Sequence, residues 1–89
     1  MTELRHTIEA LGYRLAEDAS SEHGRLTFLH DDNADRPFLL ALTNTLRYAG
    51  WRTTESIRTF VLPGTLLKIE IEPGGAETLG HYLHLIERD

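Results

Sequence analysis

The stretch that decides the fold is Trp51-Arg52-Thr53-Thr54-Glu55-Ser56-Ile57-Arg58-Thr59-Phe60-Val61-Leu62, followed by Pro63-Gly64-Thr65 and then Leu66-Leu67-Lys68-Ile69-Glu70-Ile71-Glu72. Both runs are rich in β-branched and aromatic residues, and Pro63-Gly64 punctuates them, so they predict two strands joined by a turn. The length of the turn sets the register. A two-residue loop would set Phe60 against Leu67 and Ile57 against Glu70. A three-residue loop sets Val61 against Leu67, Thr59 against Ile69 and Ile57 against Ile71, and it brings Arg58 opposite Glu70. The second choice gathers the β-branched residues on one side, and a one-residue slip would undo that, so three residues are expected. The other face of the hairpin then carries Arg58, Phe60, Leu62, Leu66, Lys68, Glu70 and Glu72.

Ahead of this hairpin, Asp35 and Pro37 open a helix that runs to Ala49 and stops at Gly50. Its apolar face is Phe38, Leu39, Leu42, Thr45, Leu46 and Ala49, while Asn44 and Arg47 lie opposite. At the N-terminal end, Leu4, Ile8 and Leu11 mark one face of a helix over Met1 to Leu11, again stopped by a glycine, Gly12. Short strands follow at Tyr13 to Glu17 and Arg25 to His30. Beyond Pro73-Gly74-Gly75, the spacing of Leu79, Tyr82, Leu83 and Ile86 predicts a closing helix over Ala76 to Arg88. The expected fold is therefore α+β, of order αββαββα, with an antiparallel sheet of about four strands and helices packed on one face. One similarity runs through it. Thr7-Ile8-Glu9-Ala10-Leu11-Gly12-Tyr13-Arg14 reads against Thr45-Leu46-Arg47-Tyr48-Ala49-Gly50-Trp51-Arg52. This is a candidate internal αββ repeat, 2–32 and 36–72, inside one small domain covering residues 1–89.

With 89 residues, the chain should bury about 64% of its unfolded surface, enough for one modest core. The absence of cysteine excludes a disulfide scaffold, thiolate metal sites and a thiol nucleophile. No apolar run is long enough to span a membrane and no secretory leader is apparent, so a cytoplasmic protein without membrane association is expected. Fourteen acids against nine bases give a formal charge of −5, and the bases are scattered. That composition argues against direct binding of nucleic acid through phosphate neutralisation.

Motifs for chemistry are sparse. His81 and His84, at i and i+3 on the expected closing helix with Glu77 one turn earlier, are candidate metal ligands, and His30 beside Asp31-Asp32 is a third. Their ordinary reading is a solvated helix face and a set of turn and capping residues, and no HExxH or nucleophile-elbow motif is present. No cofactor is expected. The outer hairpin face is more informative, because aromatic and arginine side chains flanked by charge resemble the centre and rim of a protein interface. The sequence thus points to a non-enzymatic protein-binding module, a stoichiometric inhibitor or adaptor that occupies a surface of a larger protein. In size and charge it is similar to inhibitors of host defence encoded by phages and mobile elements, anti-CRISPR proteins among them, whose partner can be a nucleic-acid-binding complex. Two alternatives are a homodimeric, chaperone-like or regulatory domain, and a small metal-dependent enzyme using His30, His81 and His84.

Overall fold

The computed structural model describes residues 2–16, 24–75 and 79–88. Glu17 and Glu77, which entered the sequence reading, lie outside these. The elements are α1 (Thr2–Ala10), β1 (Arg14–Leu15), β2 (Arg25–His30), α2 (Arg36–Tyr48), β3 (Arg52–Thr54), β4 (Ser56–Val61), β5 (Leu67–Pro73) and β6 (His81–Glu87). The fold is α+β with topology αββαββββ, and the strands form one antiparallel sheet of order β1-β2-β6-β5-β4-β3.

Both helices follow the pattern of their apolar residues. Ile8 of α1 and Leu39, Leu42 and Leu46 of α2 are buried. The Asp35 carboxylate accepts a hydrogen bond of 2.9 Å from the Phe38 amide, and Pro37 occupies the first turn, where a missing N–H costs nothing. These helical residues form one core with Phe28, Phe60, Ile69, Ile71, Leu83 and Leu85 of the sheet. Within the described residues the opposite face of the sheet carries no helix.

Three expectations fail here. The closing helix is instead β6, which lies between β2 and β5 at the centre of the sheet. Alternation explains the outcome: His81, Leu83 and Leu85 are at most 2% exposed and face the helices, while Tyr82, His84 and Ile86 face away. The expected single strand from Trp51 to Leu62 folds back on itself at Glu55, whose positive φ of 62° makes the tight turn between β3 and β4. The sheet consequently has six strands where about four were expected.

The third failure is the register of the β4–β5 hairpin. Thr59 faces Glu70, Phe60 faces Ile69 and Val61 faces Lys68, so the loop has four residues. Thr65 supplies the reason. Its hydroxyl donates to the Leu62 carbonyl at 2.7 Å and accepts from the Leu67 amide at 3.0 Å, closing the turn one residue later than expected. The slip exchanges Val61 for the larger, aromatic Phe60 on the helix-covered side, where Phe60 has no exposed surface.

Candidate functional site

The register divides the residues that the sequence grouped together. Lys68, Glu70 and Glu72 lie on the helix-free face, and Leu66, half exposed, sits in the turn at its end. Phe60 is in the core, and Leu62 packs against that core from the helix side. Arg58 is half-buried, and its charge acts on His81, which faces the helices. Phe60 is therefore unavailable as an anchor for a partner.

The helix-free face is organised by rows of cross-strand neighbours. One row runs Arg52, Val61, Lys68, Ile86, Arg25; the next runs Thr59, Glu70, His84, Thr27; a third joins Glu72, Tyr82 and Leu29. Most of these side chains are half-buried, so the face is neither a second core nor a fully solvated surface. His84 is its polar hub. The Glu72 carboxylate lies 2.9 Å from Nε2, and Arg25 and the Thr27 hydroxyl each lie 2.9 Å from Nδ1. A carboxylate only accepts, so Nε2–H donates to Glu72, while the Arg25 guanidinium lies against both ring nitrogens, at 2.9 Å from Nδ1 and 3.3 Å from Nε2. The sequence Thr27–His84–Glu72 has the order of a nucleophile–base–acid relay. Its hydroxyl, however, has no exposed surface, so no substrate carbon can reach it. What the relay does is tie β2, β6 and β5 together on the side away from the helices. Lys68 and Glu70 add an ion pair at 3.1 Å beside it.

On the covered face, His30 and His81 are cross-strand partners whose rings stack at 5.3 Å and 13°. Tyr13 and Phe38 meet both rings edge-on, with centroids 4.9 to 5.3 Å away. All four ring nitrogens are engaged. His81 Nδ1–H donates to the Asp32 carbonyl at 2.8 Å, and Nε2 accepts from the Tyr13 hydroxyl at 2.7 Å. His30 Nδ1 accepts from the Asp32 amide at 3.0 Å, and Nε2–H donates to the Leu11 carbonyl at 3.3 Å. Each imidazole is thus fixed in one orientation by two hydrogen bonds. Burial lowers the pKa of His81, and its stacked neighbour His30 and the Arg58 charge push the same way against the Asp32 contacts. Burial also pushes the Tyr13 phenol well above its ordinary range.

This geometry removes the trio His30, His81 and His84 as a metal site. Three residues apart on a strand, His81 and His84 point to opposite faces, and no lone pair of His30 or His81 is free to bind an ion. Among the described residues no group of three or more His, Cys, Asp or Glu is placed to hold a metal.

A third feature was not singled out by sequence. A cleft of about 410 Å³ opens where α2 ends, lined by Asn44, Arg47, Tyr48, Gly50, Trp51 and Arg52. The signal available in the sequence was Asn44, Arg47 and Tyr48 at i, i+3 and i+4 on the polar side of an otherwise apolar helix.

Comparison with known proteins finds no matching family model, no matching curated protein and no matching solved structure.

Proposed function

We propose that the protein is a binding module without catalytic groups of its own, which docks a larger protein on the helix-free face of its sheet as a stoichiometric inhibitor or adaptor. The observation that carries this reading is the one-sided cover of the six-stranded sheet: both helices pack on the same face, and the other presents Leu29, Val61, Tyr82 and Ile86 among Arg25, Lys68, Glu70 and Glu72. An aromatic and aliphatic centre interleaved with arginine and paired charge is the composition of a protein interface. The internal ion pair and the His84 network hold these side chains in place before binding, which lowers the entropy lost on association.

The test uses the double variant Tyr82→Ser/Ile86→Ser. A partner captured by the wild-type chain is identified, purified and titrated against both proteins. The expected result is a 1:1 complex weakened at least about a hundredfold in the folded double variant, as central interface residues carry most of the binding energy. Equal affinity in a folded variant overturns the reading. Sedimentation of the wild-type chain alone decides the homodimeric alternative, because a dimer lost in the same variant would assign this face to a second copy.

A further inference from the structure

The cleft at the end of α2 shares Arg52 with the rim of the helix-free face but none of that face's other row residues, and its chemistry differs. Asn44, Arg47 and Tyr48 line it from one side of the helix, Arg52 from the edge strand β3, and the buried Trp51 also contributes to its lining. Its volume of about 410 Å³ is in the range of small-molecule sites. Two properties stand out. Tyr48 is 96% exposed, the most exposed of the large hydrophobic side chains among the described residues. Arg47 and Arg52 make no ion pair or side-chain hydrogen bond with any described residue, whereas Arg14, which follows the other helix-stopping glycine, is held by both oxygens of Asp31 at 3.0 Å.

We infer that this cleft binds a nucleoside phosphate, either free or as the end of a nucleic-acid strand. Two unengaged guanidinium forks match the geometry of a phosphate, and an exposed phenol ring offers a stacking surface to a planar base. The Asn44 side-chain amide carries both donors and an acceptor and can read a base edge. A simple carboxylate would use the arginines alone and leave Tyr48 and Asn44 without a role. The negative end of the α2 dipole does not prevent this. The Leu46 carbonyl already accepts from the Ala49 and Trp51 amides, the Arg47 carbonyl accepts from Gly50, and the two arginines add positive charge there. The formal charge of −5 is an average over the chain, and it does not describe this corner.

Trp51 is the only tryptophan and reports on its own site. Its fluorescence is followed while the full chain is titrated with the four nucleoside 5′-monophosphates, with the matching nucleosides, with inorganic phosphate, and with a 5′-phosphorylated tetranucleotide. The expected result is saturable binding of at least one monophosphate or of the tetranucleotide below about 1 mM. Arg47→Gln and Arg52→Gln should each weaken it about tenfold. Tyr48→Ala should weaken nucleotide binding while leaving any response to inorganic phosphate unchanged. A tetranucleotide that binds more tightly than the monophosphates names a strand end as the natural ligand, and equal affinity names the free nucleotide. Absence of saturable binding, inorganic phosphate binding as tightly as any nucleotide, or folded arginine variants that bind normally would each overturn the assignment. These outcomes are independent of the partner titration above, since Tyr82 and Ile86 do not line the cleft.

Discussion

The corner at Gly12-Tyr13-Arg14 and the corner at Gly50-Trp51-Arg52 solve the same local problem and leave opposite surfaces behind. In each, a glycine with φ near +100° ends a helix, the next aromatic is at most 3% exposed, and an exposed arginine begins a two- or three-residue strand. The two strands, β1 and β3, form the two edges of the sheet. At the first corner the aromatic has a polar tip, and that hydroxyl enters the His30–His81 pair. The arginine beside it is closed off by Asp31. At the second corner the indole fills space, Arg52 meets no described acid, and a cleft remains. The same chain reversal is thus used once to seal the fold and once to leave an opening. The difference lies in what surrounds the corner, not in the corner itself.

The most severe way to break this comparison is to add one carbon at each glycine. At both positions an alanine would be held in a left-handed conformation, at a cost of about 1–2 kcal/mol. At Gly50 the added Cβ meets only Leu62 Cδ1 at 3.5 Å, an ordinary contact. At Gly12 it lies 2.7 Å from His30 Nε2, the atom that donates to the Leu11 carbonyl. Gly12→Ala must displace a satisfied, buried imidazole, adding about 1–3 kcal/mol. Denaturant unfolding should therefore show Gly12→Ala to be the less stable variant by that margin. Equal losses would mean that the His30–His81 pair is not a rigid part of the core.

A second way to sharpen the contrast is pH, because the first corner buries groups whose pKa folding shifts, His81 and Tyr13. Folding lowers the pKa of His81 below its ordinary 6.5. As pH falls through 6.5 the unfolded chain takes up a proton that the folded chain refuses. Stability should then fall by up to about 1.4 kcal/mol per pH unit until folded His81 is itself protonated. Tyr13 acts in the other direction: its raised pKa means that above pH 10 the unfolded chain releases a proton the folded chain keeps, and stability falls again. Trp51 has no such proton. Imidazole resonances followed by NMR should place the His81 midpoint below 6.5, and Tyr13→Phe should abolish the alkaline loss. A normal His81 midpoint would show that the stacked pair is open to water.

Much of this was legible from residue order alone. The period of Leu39, Leu42 and Leu46 and the Asp35 cap mark α2, and the likeness of the two corners is readable in eight aligned positions. What escaped has physical causes. A central strand is covered on one face and networked on the other, so β6 lacks the polar–apolar alternation that marks a strand, and Leu79, Tyr82, Leu83 and Ile86 happen to fall at helical spacing. The fold-back at Glu55 uses a left-handed glutamate where sequence signals call for glycine or asparagine. The hairpin register turned on a hydrogen bond by Thr65, and with it went the placement of Phe60, Arg58 and Leu62. Long-range chemistry, such as Tyr13 meeting His81 across 68 positions, leaves no local trace at all.

The smallest expected effect concerns the two arginines. Arg14 and Asp31 form a two-pronged ion pair, but their side chains are 57% and 79% exposed, and solvent screens such a pair to a fraction of its Coulomb energy. Arg14→Gln should cost no more than about 0.5–1 kcal/mol, and that loss should shrink in salt. Arg52→Gln, with no acid to lose, should leave the unfolding midpoint unchanged at low and high salt alike. If the two variants proved indistinguishable, Arg14 and Asp31 would not be sealing their corner, and the same geometry could open there. If Arg52→Gln instead stabilised the chain, the uncompensated charge at the second corner would be repelled by its neighbour Arg47. A cationic pair kept in place against its own repulsion is what a site for an anion requires.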